Sequence, residues 1–203
     1  MIRRLNSRDI AREAEVTIYI GNNRINVLCT PNKIRELAAG IAATKFRLNK
    51  IEDIKVCGNT IYVSASRIKE EYSNNLSINL EEIKDRLKII DINEYKRTRG
   101  YHVSAIIKNG RCISLNYDVS RHACLAKTVG EVILKNESLS NCYIIFSGRI
   151  SSSIVKMCKN AGIKLIVSKA AIFDLAIELC IKYNISAVSF ASGVIVGDCV
   201  TTV

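Results

Sequence analysis

The stretch NYDVSRHACLAK, residues 116–127, brings an acid, an arginine, a histidine and a lysine together where a strand pattern gives way to a helix pattern. Asp118 precedes the predicted helix, Arg121 and His122 stand at its start, and Lys127 follows inside it. A helix start offers free backbone N–H groups and a partial positive charge, which favour an anionic ligand. The pattern is consistent with an anion site, and taken alone it is also consistent with a solvated helix start.

Two further junctions of the same kind follow along the chain. A short apolar run leads into a polar group that begins a helix in LNYDVSRH, in IIFSGRISS and in LIVSKAA. The carboxyl ends of parallel strands meet at one edge of a sheet, and open α/β sheets bind their ligands at that edge. We therefore expect the three junctions to lie side by side and to form one site for a phosphate-bearing ligand.

The polar residues at these junctions are the candidate site residues. Arginine and lysine can meet phosphate, serine hydroxyls can donate to it, and glycine lets the backbone approach a ligand closely. We expect the two histidines and the aspartate to orient the ligand. The predicted binding residues are His102, Asp118, Arg121, His122, Lys127, Ser147, Gly148, Arg149 and Ser168.

Each candidate also has an ordinary structural explanation. A serine at a helix start is commonly a cap, a lone arginine at a strand end is commonly a surface residue, and a histidine beside a strand is commonly packed. A catalytic pair of His122 and Cys124 is not expected, because side chains two positions apart on a helix diverge. No catalytic residue is predicted, and the coincidence of both histidines and two arginines at one sheet edge is what favours binding.

The elements that must position these residues begin with a smaller α+β lobe. Residues 16–29 predict a hairpin, and residues 59–66 predict another strand. Thr30 before Pro31 predicts an N-cap for the helix over 33–46.

A polar stretch over about residues 66–95 predicts a connector between two lobes. Within it, Asn79 and Glu82 resemble a capping box for a short helix. The predicted organisation is an N-terminal α+β lobe with its connector over residues 1–95 and an α/β core over residues 96–203.

The core shows strands alternating with helices. Residues 102–117 predict a hairpin, because Asn109 and Gly110 suit a type I′ turn. Three short apolar runs then alternate with helix patterns: CYIIF, KLIVS and ISAVSF. The order β-β-α-β-α-β-α-β predicts an α/β fold whose largely parallel sheet has an antiparallel hairpin at its start and carries helices on both faces.

Composition narrows the classes of function. The 203 residues are 48% hydrophobic, include eight cysteines and carry a net charge of +11, which favours an anionic partner. No CxxC, Walker loop or GxGxxG motif is present, so the sequence predicts no directly bound metal and no standard nucleotide loop. We expect a cytoplasmic protein without a membrane span.

Several blocks of the chain, in order, resemble the formate dehydrogenase accessory protein family, FdhD. The resemblance runs from about residue 13 to the end, apart from the middle. Thr98, Gly100 and His102 match the TGG-x-H segment of that family, and Arg121 and His122 match its D-V-G-R-H signature. The matching blocks are TIYIGNNRINVLCTPNKIRELAAG, TRGYHVSA, YDVSRHACLAK, SGRIS and AGIKLIVS.

The resemblance implies a fold and an activity. It implies a three-layer α/β/α core similar to cytidine deaminase, and a sulfurtransferase role in which sulfur passes to the molybdenum cofactor of formate dehydrogenase. It also implies a homodimer that binds molybdopterin guanine dinucleotide or a guanine nucleotide. Formate dehydrogenase and a cysteine desulfurase are the implied partners.

One departure from the family leaves the activity open. The family carries C-G-x-C-G ahead of the TGG segment, whereas residues 66–97 contain no cysteine. Persulfide chemistry requires a thiolate, so we expect cofactor binding and leave open whether sulfur transfer uses a displaced cysteine. The other alternative is a basic module for nucleic acid or protein; with 6% aromatic residues and no tryptophan, nucleic acid is the less favoured partner.

Overall fold

The computed structural model describes residues 2–5, 7–68 and 76–202. The first part of the chain contains one helix and six strands. These are β1 Ile2–Leu5, β2 Arg8–Ala11, β3 Ala14–Ile20, β4 Asn23–Cys29, α1 Ile34–Phe46, β5 Lys50–Cys57 and β6 Thr60–Ser66. The predicted hairpin (β3 and β4), the first helix (α1) and the strand predicted over residues 59–66 (β6) are confirmed. Strands β1, β2 and β5 were not predicted.

The remaining elements are β7 Ile78–Asn79, α2 Leu80–Arg86, a 3-10 turn Leu87–Ile90, α3 Asn93–Thr98, β8 His102–Lys108, β9 Arg111–Asp118, α4 Arg121–Leu134, β10 Cys142–Phe146, α5 Ser152–Ala161, β11 Leu165–Ser168, α6 Asp174–Tyr183, β12 Ser186–Ser189, β13 Val194–Val196 and β14 Val200–Thr201. From β8 to β12 the strands and helices follow the predicted order, while β13 and β14 were not predicted. None of the helices in the described ranges is long and apolar enough to cross a bilayer.

The small sheet has the strand order β4-β3-β6-β5. Alternate residues of β3 point to opposite faces, and Val16, Ile18 and Ile20 are buried against α1. The sheet therefore covers one side of α1.

The large sheet has the order β13-β12-β11-β10-β8-β9. Only β10 with β11 and β11 with β12 pair in parallel, while β8, β9 and β13 add antiparallel pairs. Four strands, β9 to β12, run in one direction, while β8 and β13 run against them. The antiparallel hairpin was expected, but the insertion of β8 between β9 and β10 and the edge strand β13 were not. The hairpin turn is confirmed, with positive φ at both Asn109 and Gly110.

Helices cover both faces of the large sheet. Ile106 and Ile144 face α4, α5 and α6, whereas Ile107 and Ile145 face the opposite layer. That layer includes the 3-10 turn and α2, and Ile83 of α2 is fully buried. The described core is therefore an α/β/α arrangement, and its likeness to cytidine deaminase stays a prediction.

The stretch predicted as a connector has a structural role in its described part. Residues 76–95 contain α2, the 3-10 turn and the start of α3, and they cover the large sheet. Asn79 caps α2 by accepting the N–H of Glu81, so the predicted N-cap is confirmed, whereas the Glu82 carboxylate accepts from Arg86. Residues 69–75 of the predicted connector lie outside the described residues, and the domain boundary near residue 95 stays a prediction.

Helices α1 and α4 pack backbone to backbone. A side chain at Gly40 would collide with the backbone of Ala126, and one at Gly130 would collide with the backbone of Glu36. Only glycine permits this approach at both crossing points. The contact joins the small sheet and its helix to the core, and it fixes the β4–α1 loop beside the start of α4.

Candidate functional site

Three strand ends form the edge at which the predicted site residues gather. His102, at the start of β8, pairs with Asp118 at the end of β9, and Ser147 N–H donates to the Val103 carbonyl. Because β8 runs antiparallel to both neighbours, its first residue lies between the carboxyl ends of β9 and β10. The helix starts of α4 and α5 follow directly from those two ends.

Four basic residues and a serine at this edge form what we call the basic cradle: His102, Arg121, His122, Arg149 and Ser153. His122 Nε2 lies 2.8 Å from Ser153 Oγ, so one hydrogen bond joins the start of α4 to the start of α5. Arg149 is exposed and its guanidinium lies 5.4 Å from the centroid of the Phe173 ring. The other four cradle residues are partly buried.

The charged groups that act on the cradle histidines are positive. Burial lowers the pKa of His102, and the positive charges of Arg121, Arg149 and His122 lower it further. Burial and Arg121 likewise lower the pKa of His122. Neither arginine forms an ion pair with a carboxylate of the described residues. A bound anion would relieve this repulsion.

Three of the predicted binding residues support the cradle from beneath. Ser168 Oγ donates to the Gly148 carbonyl at 2.7 Å, and Ser147 Oγ accepts the N–H of Val103 at 2.8 Å. A Cβ at Gly148 would lie 2.6 Å from the Phe146 ring and 3.3 Å from His102 Nδ1. These residues fix the loop that carries Arg149, and the glycine leaves room for the His102 ring.

Asp118 and Lys127 form a buried ion pair away from the cradle's open surface. Lys127 Nζ lies 2.5 Å from Asp118 Oδ2, and both side chains are 0% exposed. Lys127 also donates to Thr30 O and Asn32 Oδ1, both at 2.8 Å. The structure commits the Lys127 ammonium to three protein acceptors, so its contact with phosphate and the orientation of a ligand by Asp118 stay predictions without geometric support.

The ion pair anchors the loop between β4 and α1. Asp118 accepts the backbone N–H groups of Thr30 and Ser120, and Thr30 Oγ1 accepts the N–H of Val119. The predicted N-cap at Thr30 was wrong, because α1 begins only after Lys33, whose φ is 45°. Thr30 instead ties the β4–α1 loop to the end of β9.

Two residues in the site were missed by the sequence reading. Ser153 bridges His122 and Ser151, and Asn32 is a partner of Lys127. Ser153 gave no signal of its own beyond its place near a helix start. Asn32 stands beside the Thr-Pro pair, which the family resemblance does mark.

The thiols do not converge on the cradle. Cys124 lies beneath it, with Sγ 3.4 Å from the His102 carbonyl, but burial raises its pKa to about 12. Cys57 and Cys112 are exposed and Cys199 is partly exposed. Within the described ranges, no group of three or more His, Cys, Asp and Glu side chains could hold a metal ion.

Comparisons with known proteins agree with the residue-level resemblance. Residues 55–195 match the model of the FdhD/NarQ family. "Protein FdhD" of Methanocaldococcus jannaschii is 32% identical, and the match covers 94% of this chain and 90% of that relative. The "Sulfur carrier protein FdhD" of Listeria monocytogenes is 25% identical over 91% of this chain and 86% of the relative.

A solved structure shares the fold. The crystal structure of a candidate formate dehydrogenase accessory protein from Desulfotalea psychrophila has a TM-score of 0.78 and 22% sequence identity. The match covers 94% of this chain and 90% of that one. From the family match and the relative over nearly the whole length, we conclude that this chain belongs to the FdhD/NarQ family.

Proposed function

We propose that this protein is an accessory factor of formate dehydrogenase and that its basic cradle binds a molybdopterin guanine dinucleotide-type cofactor or a guanine nucleotide through its phosphates. The carrying observation is the convergence of Arg121 and Arg149, free of carboxylate partners among the described residues, with two histidines at one sheet edge. Family membership supports the same ligand class. Burial of the competing charges in the Asp118–Lys127 pair leaves the cradle with positive charge only.

The donors of the cradle fit a phosphate group. Guanidinium groups present paired N–H donors that match phosphate oxygens, and the starts of α4 and α5 add backbone N–H groups and their positive dipole ends. Arg121 and Arg149 would contact phosphate oxygens, while His102 and His122 would donate to the ligand and fix its orientation. Ser147, Gly148 and Ser168 hold the loop in place.

Sulfur transfer is the part of the family's role that this chain supports least. Residues 58–111 contain no cysteine, and Cys29, Cys142 and Cys180 have a pKa raised by burial to about 11. A carrier thiol would have to be one of the more accessible cysteines, which are Cys57, Cys112 and Cys199.

Graded alkylation followed by mass spectrometry, with and without a cysteine desulfurase and its sulfur donor, tests sulfur carriage. A persulfide on one accessible cysteine, lost in the matching Cys→Ser variant, would support a displaced carrier. No persulfide on any cysteine would refute sulfur carriage by this chain and leave the cofactor-binding proposal standing.

The partners and the assembly follow from the same proposal. Formate dehydrogenase would be the client, a cysteine desulfurase would be the sulfur source if a carrier thiol exists, and two copies would form a homodimer in the cytoplasm. Co-purification with formate dehydrogenase and light scattering of the isolated protein check the first and third of these statements.

Thermal unfolding with GDP, GTP, CDP and AMP at moderate salt tests the ligand class. A ligand that binds the native state raises the unfolding midpoint. We expect the guanine nucleotides to raise it more than CDP or AMP at equal concentration. Equal midpoints with and without every nucleotide would overturn the proposed function.

A further inference from the structure

The first two strands of the chain form a sheet of their own, which we call the N-terminal ribbon. It consists of β1 and β2 paired antiparallel, and neither strand pairs with a third among the described residues. A two-stranded ribbon is marginally stable at best on its own in water. What each of its two faces contacts therefore decides both its stability and its use.

One face of the ribbon is anchored on α3 and on the segment that leads into β8. Asp9 Oδ2 accepts two N–H groups of the Arg97 guanidinium, each at 2.8 Å. At the end of the ribbon, the backbone N–H of Arg12 donates to the hydroxyl of Tyr101 at 3.3 Å. Tyr101 immediately precedes His102 of the basic cradle, so the ribbon is held beside the chain that enters the cradle.

The opposite face of the ribbon is basic and apolar at once. Paired residues of an antiparallel ladder share a face, and successive residues along a strand alternate between faces. Arg3 pairs with Ile10, and Leu5 pairs with Arg8, so these four share the face turned away from Asp9. All four are exposed, with 52% for Leu5 and 43% for Ile10. Each guanidinium therefore stands across from an aliphatic side chain on an open surface.

The positive charge of the ribbon is unpaired. Arg3, Arg4, Arg8 and Arg12 are exposed, and none of them forms an ion pair with a carboxylate in the part of the chain that the structure describes. Residues 1–12 contain one acid and no lysine. Arginine is enriched and lysine depleted at protein interfaces, and the guanidinium fork matches a carboxylate. The composition favours a partner that carries carboxylates.

We propose that the outer face of the N-terminal ribbon docks an acidic segment of a partner protein. The partner's carboxylates meet Arg3 and Arg8, and its apolar side chains pack on Leu5 and Ile10. Residues 1–12 contain no aromatic side chain on which a base could stack, which disfavours nucleic acid. Two aliphatic side chains offer little apolar area to a bilayer, whose binding strength scales with that area. The docking is independent of the ligand that the cradle binds.

Two short fluorescent peptides of equal charge test the surface, one alternating glutamate with leucine and the other alternating glutamate with serine. Fluorescence anisotropy measures their binding to the full chain at about 0.15 M salt, where exposed charges are screened beyond about 8 Å. We expect the leucine peptide to bind at least about fivefold more tightly, because only it can pack on the aliphatic pair.

Charge reversal locates the binding surface. The Arg3→Glu, Arg8→Glu variant should bind the leucine peptide at least about tenfold more weakly than wild type. The matched control is Arg47→Glu, Arg111→Glu, which makes the same change in net charge at two exposed arginines outside the ribbon and should keep affinity within about twofold. Should the ribbon variant fail to fold, Arg3→Gln, Arg8→Gln removes both charges and carries the same expectation.

The aliphatic pair is tested separately. Leu5→Ser, Ile10→Ser should abolish the preference for the leucine peptide and leave binding of the serine peptide unchanged. An unchanged preference in this variant would overturn the packing role. Absence of binding of either peptide to wild type, or equal affinity in wild type and the Arg3→Glu, Arg8→Glu variant, would overturn the docking surface.

Two competing probes distinguish the class of partner. Single-stranded DNA of the same charge as the peptides and vesicles of phosphatidylglycerol are titrated into the same variants. Tighter binding of either probe than of the leucine peptide, lost in Arg3→Glu, Arg8→Glu, would replace the protein partner by nucleic acid or membrane. GDP affinity should be unchanged in every ribbon variant, so failure of the ribbon and failure of the cradle give different results.

Discussion

Two groups of charged residues lie at the same sheet edge and have opposite environments. Asp118 and Lys127 are fully buried, and their charges are met by each other and by the β4–α1 loop. Arg121, from the same stretch of sequence, and Arg149, from the next junction, have no carboxylate partner among the described residues. The difference teaches that a motif rich in charge can supply both the scaffold of a site and its binding surface, and that burial separates the two roles.

The largest effect is expected on folding stability, at the buried Asp118–Lys127 pair. Lys127→Met leaves the buried carboxylate of Asp118 without its counter-charge, which should destabilise the fold by about 3–5 kcal/mol. Urea unfolding measures the loss. Lys135→Met removes the lysine at the C-cap of the same helix, which forms an ion pair with Glu131 and is 47% exposed, so it should cost less than about 1 kcal/mol. Equal losses in the two variants would show that the buried pair has no special role.

On the binding side, the effect should appear in affinity and not in stability. Arg121→Ala or Arg149→Ala removes a charge-assisted hydrogen bond to phosphate, worth about 1.5–3 kcal/mol, and changes folding stability by no more than about 0.5 kcal/mol. Titration calorimetry with GDP measures the first and urea unfolding the second. Arg111→Ala, at the far end of β9, is the matched control and should leave GDP affinity unchanged.

A smaller loss of stability is expected at the threonine that links the β4–α1 loop to the end of β9. Thr30→Val removes the hydroxyl that accepts the N–H of Val119, which should cost about 1 kcal/mol of stability. The hydroxyl of Thr17 donates to Asn26 Oδ1 at an exposed site, so Thr17→Val should cost less stability than Thr30→Val. If Thr30→Val unfolds at the same urea concentration as wild type, the threonine does not hold the loop.

The smallest effect should be a pH dependence from the cradle histidines. Their folded pKa lies below the ordinary value of 6.5, so the unfolded chain binds more protons near that pH. Stability of the free protein should therefore fall as pH falls through 6.5 and below. A bound anion favours the charged imidazole. GDP affinity of the wild type should therefore rise as pH falls through the same window, relative to the double variant His102→Gln, His122→Gln. Parallel pH profiles for the two proteins would contradict this.

The sequence predicted the parts of the fold that depend on local pattern. Alternating apolar residues in β3, the Asn109–Gly110 turn and the helix over 34–46 follow from local chemistry and were confirmed. The direction of β8 relative to β10 was not predictable, because strand order depends on contacts between distant segments. Short β1 and β2 carry no strong period-two pattern and gave no clear signal.

The gathering of the candidate residues at one sheet edge was predictable, and their environments were less so. His102, Arg121, His122 and Arg149 gather at one edge, as strand ends followed by helix starts suggest. The environment of Lys127 was not predictable, because its partners Thr30 and Asn32 are more than ninety residues away in the chain. Acceptor count and burial are properties of the folded chain, and they decide whether a lysine binds a ligand.

The most direct test of the account is a calorimetric titration of GDP and inorganic pyrophosphate into the Arg121→Ala, Arg149→Ala double variant and into wild type. The account predicts that the double variant loses at least about a hundredfold in affinity for both probes, with an unfolding midpoint in the absence of ligand equal to that of wild type. Affinities that match wild type in a folded double variant would contradict the claim that the open charges of the cradle bind the phosphates.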